Sequence, residues 1–271
     1  MSSYQLIALD MDGTLLNSEK KISKYTAEMI RQAFAAGKEV VLSTGRCAAE
    51  LEEFQEQIPE LRYLICASGA HIYDSREKKT IYAKKIPVSS MKEILKVSRM
   101  QETLVQILTT DSIIQASDLE RMDLFGIGQY RPMFERIATK VDNIYDYYDK
   151  NPVEIEKINV YHTTPEGREQ SRERLKKLDL ELVNAEAGSL ECSAGSVTKG
   201  LALGKLCDFL GIPLRQAIAV GDADNDMSAL KIAGLSVAMG NANENVKGIC
   251  DVIVSDCDHD GCAEAIQKYL L

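Results

Sequence analysis

Short apolar runs and stretches of helical spacing take turns along the first eighty residues of the chain. Leu6-Ile7-Ala8-Leu9 is a continuous apolar run, the mark of a strand buried on both faces. Helical spacing follows over 26–36, and Gly37 suits the left-handed residue that closes many helices. Glu39-Val40-Val41-Leu42 predicts the next strand, 48–57 the next helix and 63–67 a third strand. This order, with wholly apolar strands, predicts a parallel sheet covered on both faces.

The pattern then changes. Residues 70–86 alternate and carry a charged turn, Asp74-Ser75-Arg76-Glu77-Lys78-Lys79, which predicts a hairpin. Met91, Ile94 and Leu95 have helical spacing, and strands are expected at 103–108 and 112–115. A second set follows, with a strand at 155–161, a charged helix at 165–177 and a strand at 180–183. The strand–helix alternation returns after about Gly188, with helices at 199–210 and 227–233, strands at 217–220, 236–239 and 251–254, and a last helix bearing Ala263, Ile266 and Leu270. The expected fold class is therefore α/β. A doubly wound parallel core sheet is formed by 1–83 and 188–271, and 84–187 is an inserted α+β domain with its own antiparallel sheet. The 271 residues suit neither one compact domain nor two full domains in series, and an insertion resolves this.

With 45% hydrophobic and 27% charged residues, the composition excludes disordered, collagenous and disulfide-scaffold classes. Lys plus Arg number 32 against 41 Asp plus Glu, a net charge of −9 carried mostly outside the insertion. Without a basic run, nucleic acid and membrane surfaces are not expected partners. An anionic ligand then needs a local device, such as a metal ion, to hold it. Seven cysteines, an odd number, lack the two-residue spacing of a zinc knuckle or redox motif, and Cys257 and Cys262 are the nearest pair. Met1-Ser2-Ser3-Tyr4 has neither the basic start nor the apolar run of a signal peptide, so a reducing cytoplasm is the expected location.

Chemistry concentrates where strands end. Asp10-Met11-Asp12-Gly13-Thr14 directly follows the first strand. Two carboxylates at i and i+2 there can face the crevice above the sheet, where open α/β sheets bind ligands. Their repulsion suits a Mg²⁺ site, or an ionised nucleophile beside a protonated acid; a plain turn is the alternative. In Ser43-Thr44-Gly45-Arg46, the Thr44 hydroxyl and the amides opening the next helix suit a phosphate oxygen, although Ser or Thr before a helix commonly serves as an N-cap. Gly221-Asp222-Ala223-Asp224-Asn225-Asp226 offers hard-metal ligands without the spacing of an EF-hand loop. Lys199-Gly200 opens a helix.

These segments, in order and spacing, resemble the four motifs of the haloacid dehalogenase superfamily. Leu190-Glu191, Thr198-Lys199-Gly200-x-Ala202-Leu203 and Ala238-Met239-Gly240-Asn241-Ala242 resemble its Cof-type phosphatases, and the insertion stands where that group carries a type-2B cap. Ser68-Gly69-Ala70 replaces a common Asn-Gly-Ala, and Ala223 occupies a variable position. The resemblance implies a Mg²⁺-dependent phosphatase of small phosphorylated metabolites, sugar phosphates among them. Asp10 is then the nucleophile and Asp12 the general acid and base. The metal falls to Asp10, Asp222 and the Asp12 backbone carbonyl, and the phosphoryl oxygens to Met11, Thr44, Gly45, Lys199 and Asn225. Asp226 orients Lys199 or a metal-bound water. A phosphomutase and a non-catalytic phosphate sensor remain open alternatives. Selection of the leaving group is expected from the cap, between Thr109 and Arg131 or around Gly188. His71, His162, His259, the acidic run Asp256, Asp258 and Asp260, and Tyr145, Tyr147 and Tyr148 are read as structural or solvated. Oligomeric state is not legible.

Overall fold

In the computed structural model, residues 3–185 and 187–271 are described. Met1 and Ser2, part of the stretch read for a signal peptide, lie outside them, as does Glu186. The chain forms β1 (Leu6–Leu9), α1 (Lys24–Ala35), β2 (Glu39–Ser43), α2 (Glu52–Gln57), β3 (Tyr63–Cys66), β4 (His71–Asp74) and β5 (Lys79–Ala83). Next come α3 (Val88–Ser98), β6 (Thr103–Leu108), β7 (Ser112–Gln115), α4 (Arg131–Ile137), β8 (Thr139–Val141), α5 (Ile144–Lys150), β9 (Lys157–His162), α6 (Pro165–Leu175), β10 (Leu180–Asn184) and β11 (Ser189–Ala194). Last are α7 (Lys199–Leu210), β12 (Ala217–Gly221), α8 (Met227–Leu230), β13 (Leu235–Ala238), α9 (Glu244–Lys247), β14 (Val252–Ile253) and α10 (Gly261–Ala265), which runs into a π-helical turn, Ile266–Leu270.

Two compact units result. The first holds the residues up to Gly45, Leu51–Tyr82 and Thr198–Leu271. Its sheet has the order β14-β13-β12-β1-β2-β3-β4-β5. β1 pairs in parallel with both β2 and β12, and only at β4 does the direction reverse within the paired strands described. The chain thus builds outward from β1 on one side and returns to its other side with β12, so the strand order switches beside β1. That switch point is where an open α/β sheet gathers ligand-binding loops. Leu6, Ile7 and Leu9 are fully buried, each stabilising the sheet by about 1.5–3 kcal/mol. Helix ends follow their caps. The Ser23 hydroxyl accepts from Thr26 N at the start of α1, and Gly37, at φ 73, donates to Phe34 O just past its end.

The second unit comprises Arg46–Glu50 and Ala83–Val197, with a sheet of order β10-β11-β9-β6-β7-β8. This moves two expected boundaries. The stretch from 188 was assigned to the core, yet β11 pairs antiparallel with both β9 and β10, which makes it a strand of the second sheet. The expected helix at 48–57 opens as a 3₁₀ turn, Ala48–Leu51, because its first donors bond elsewhere: Cys47 N to Glu50 Oε2 and Ala49 N to Thr110 O. In the first unit α8 stops at Leu230, short of the expected 233. Gly234 is held by Leu214 O and Ala217 O, with its Cα packed where a side chain would strike Arg215 O.

The seven cysteines are free thiols. His71 is buried against Thr80 Oγ1, and His259 is exposed beside Asp256. Asp260 accepts the hydroxyls of Ser23 and Thr26 and so braces the start of α1. Tyr148 is buried with its hydroxyl on Val153 O, Tyr145 lies under Arg99, and Tyr147 is exposed. Among the described residues no helix is long and apolar enough to cross a membrane.

Candidate active site

Asp10 follows β1, its N–H donating to Val220 O of β12 at 3.1 Å. That bond sets the Asp10 carboxylate beside the loop that leaves β12. Lys199, the first residue of α7, is 1% exposed and reaches both Asp10 Oδ1 at 2.5 Å and Asp226 Oδ1 at 2.6 Å. Thr198 caps α7 through Leu201 N, which fixes where the Lys199 side chain departs. Asp226 spends its other oxygen on the amides of Asp222 and Ala223. Asp222 takes the Thr14 hydroxyl on one oxygen at 2.7 Å. Asp10 and Asp222 each retain a second carboxylate oxygen for another ligand.

One oxygen from each of Asp10, Asp222 and Asp226 lies within 4.8 Å of the other two. A single ammonium faces three carboxylates, so negative charge is in excess. Burial first, then the Asp226 carboxylate, pushes the Asp10 carboxyl up to about 8 against the pull of Lys199. Burial chiefly raises Asp222 as well. Burial by itself would lower Lys199, but the charges of Asp10 and Asp226 outweigh it and hold the ammonium protonated. Hard oxygen donors with uncompensated negative charge fit a divalent cation.

Asp12 lies outside this buried group. It is half-buried, with Oδ1 accepting from Lys20 Nζ at 2.9 Å. Thr44 is buried at the end of β2, with its own amide donating to Ile65 O. Met11 is buried, Gly45 half-buried, and Asn225 exposed on the 3₁₀ turn Asp224–Asp226.

Three supporting residues escaped the sequence reading. Gly13, at φ 84, passes so close to Asp222 that a Cβ there would stand 2.6 Å from Oδ2. Asn241 donates to Gly13 O at 2.7 Å and accepts from Cys257 N, tying the first loop to the last. Lys20 holds Asp12 from a left-handed turn position, φ 60. Asn241 and Gly13 stood inside recognised motifs, so the signal was present; Lys20 had none.

The fold and this carboxylate–lysine group define a haloacid dehalogenase-like hydrolase. The chain belongs to that family, which matches it over residues 7–266. It is 32% identical to a 5-amino-6-(5-phospho-D-ribitylamino)uracil phosphatase of Bacillus subtilis, over 98% of this chain and 96% of that one. A pyridoxal phosphate phosphatase of Escherichia coli is 25% identical over 98% and 99%. Among solved structures, a haloacid dehalogenase-like hydrolase from Bacteroides thetaiotaomicron superposes with a TM-score of 0.85 at 25% identity, covering 98% and 99%. A subclass IIB sugar phosphatase shares the fold, with a TM-score of 0.81 at 21% identity over 98% and 100%. The names of these relatives are consistent with a phosphoric monoester hydrolase.

Proposed function

We propose that this chain is a Mg²⁺-dependent cytoplasmic phosphatase of small phosphorylated metabolites, sugar phosphates among them, working through a phosphoryl group carried on Asp10. The observation that carries the reading is the Asp10–Lys199–Asp226–Asp222 group at the switch point of the sheet, with Asp12 two residues beyond it. The whole-length likeness to phosphatases of a ribitylamino phosphate and of pyridoxal phosphate supports the substrate class.

Asp10 attacks phosphorus; the bond to the leaving alcohol breaks, and Asp12 gives that oxygen its proton. Water then attacks the aspartyl-phosphate, Asp12 takes up its proton, and inorganic phosphate leaves with Asp10 restored. The half-buried Asp12 suits proton exchange with both an alcohol and water, whereas Asp10 is enclosed and tied to Lys199. Lys199, the Thr44 hydroxyl, the backbone at Met11 and Gly45, and Asn225 hold the phosphoryl oxygens as charge grows on them. Asp226 keeps the Lys199 ammonium aimed at Asp10. Mg²⁺, held by Asp10, Asp222 and the Asp12 carbonyl, supplies neutralising charge for the phosphoryl group.

An initial-rate screen of phosphorylated metabolites with Mg²⁺ tests the reading. Asp10→Asn is expected to lower turnover by at least about 10⁴-fold, and acid-quenched wild type is expected to carry phosphate on the Asp10 peptide. Full Mg²⁺-dependent turnover by Asp10→Asn would sink it.

A further inference from the structure

The turn between the first loop and α1 carries a residue that its backbone does not favour. Asn17 O accepts from Lys20 N at 2.9 Å, and the Asn17 side chain accepts from the amides of Glu19 and Lys21. Lys21 O takes the Asn17 N–H, which closes the turn, and Ser18 N donates to Asp258 Oδ1 at 2.8 Å. Leu15 and Leu16 on one side and Ile22 on the other are buried. The backbone from which Lys20 departs is thus held from both sides, and it sets Lys20 at φ 60. Glycine is the default there, because a side chain in the left-handed region is strained.

Lys78 adopts nearly the same conformation, φ 50, in the turn between β4 and β5, so a left-handed lysine is not informative by itself. The difference lies where each side chain ends. Lys20 Nζ donates to Asp12 Oδ1 at 2.9 Å, whereas Lys78 forms no ion pair among the described residues. Stability does not account for the Lys20 contact. Its two side chains are 49% and 36% exposed, and an ion pair so open to water contributes little. An exposed pair kept in a strained turn, on a carboxyl two residues past Asp10, points to positioning.

We propose that Lys20 is a positioning residue for Asp12, fixing the rotation of its carboxyl so that one oxygen is held and the other exchanges protons. This role rests on the phosphatase reading above, in which Asp12 serves the leaving alcohol and then water. Lysine only donates, so Oδ1 stays an acceptor while the contact lasts, and a proton on Asp12 belongs on Oδ2. Asp12 stands in a loop, with one isolated β-bridge to Leu16, and the Lys20 tether adds a restraint on the side chain itself.

Leaving groups separate this role from a structural one. An alkyl phosphate leaves as an alcohol that needs a proton, whereas p-nitrophenyl phosphate leaves as a stable anion. The probe is the alkyl phosphate turned over fastest in the metabolite screen. Lys20→Met is expected to lower its kcat/KM at least about tenfold more than that of p-nitrophenyl phosphate, with inhibition by inorganic phosphate within about twofold of wild type. Lys20→Arg, which keeps a donor in reach, is expected to restore most of the loss. Lys20→Gly relieves the turn, and is expected to melt no lower than wild type while showing the same selective loss, a combination that a structural role does not give. Lys78→Gly, the matched control, is expected to hydrolyse both esters as wild type does.

Equal losses on both esters, or no loss in Lys20→Met and Lys20→Gly, would overturn the proposal. Asp12→Asn keeps the phosphatase reading separate. If Asp12→Asn shows the selective loss and the Lys20 variants do not, only the positioning role fails. If wild type turns over no alkyl phosphate, or Asp12→Asn matches wild type, the phosphatase reading itself fails and takes the positioning role with it.

Discussion

The two polar groups of this protein are built on opposite principles. At the end of β1, three carboxylates face one ammonium, and the surplus charge calls for a cation. On the second sheet, one carboxylate orders a chain of neutral amides and a hydroxyl, and the result is a single directed acceptor. The first is a store of charge and the second a store of direction. Charge suits a group whose bonds are changing, because preorganised charge stabilises what develops in a transition state. Direction suits a buried polar network, whose members must each meet a set partner.

The contrast is broken most forcefully at Lys199. Lys199→Met leaves Asp10 and Asp226 buried without their shared partner, and stability is expected to drop by about 3–5 kcal/mol. Urea denaturation should show Mg²⁺ restoring part of that loss; no recovery would mean the carboxylates do not share a cation. Gln106→Leu, by comparison, strips partners from Glu50, Asn159 and Tyr161 together, at an expected cost of about 1–3 kcal/mol. Mg²⁺ should leave this second loss untouched, and equal rescue of both variants would erase the distinction.

A third group, His162, offers a smaller and pH-dependent effect. Gly188 O can only accept, so Nδ1 carries the proton, and Nε2 accepts from the Ser171 hydroxyl. The neutral ring is satisfied, and burial in the first place holds it below its ordinary value of 6.5. The unfolded chain therefore binds a proton that the folded chain refuses. Stability is complete above 6.5 and falls as pH drops below it toward the folded value. Urea midpoints at about pH 7.5 and 5.5 should differ more in wild type than in His162→Gln. The smallest expected effect lies at Ser68, in a left-handed conformation at φ 57. Asparagine tolerates that region better than serine, so Ser68→Asn is expected to raise stability by about 0.5 kcal/mol, read as a shift in melting temperature.

The first polar group was far more legible in the sequence than the second, for a physical reason. Asp10, Asp12, Thr44, Asp222 and Asp226 stand just past strands that are themselves continuous apolar runs, so local pattern delivers them to one edge of one sheet. Lys199 was readable as the first residue of a capped helix. The network on the second sheet depends on register: Gln106 meets Asn159 across 53 residues, and Glu50 joins from a segment before the insertion. Nothing local distinguishes those residues from ordinary strand and helix positions. The same limit explains β11, whose sequence reads as a strand of either sheet until its pairing with β9 and β10 is known. Periodicity reports burial and alternation, while partner choice is a property of the folded chain.

The left-handed turn after β3 reaches further than its three residues. Ala67, Ser68 and Gly69 all have positive φ, and a side chain at Gly69 would stand 2.2 Å from Thr198 O. Thr198 is the cap from which Lys199 departs, so the turn is the seat on which the start of α7 rests. Evolution can therefore retune the charge beside Asp10 without replacing any charged residue, by altering how far that seat lets the helix advance. A neutral change several residues from the chemistry would then register as an electrostatic one.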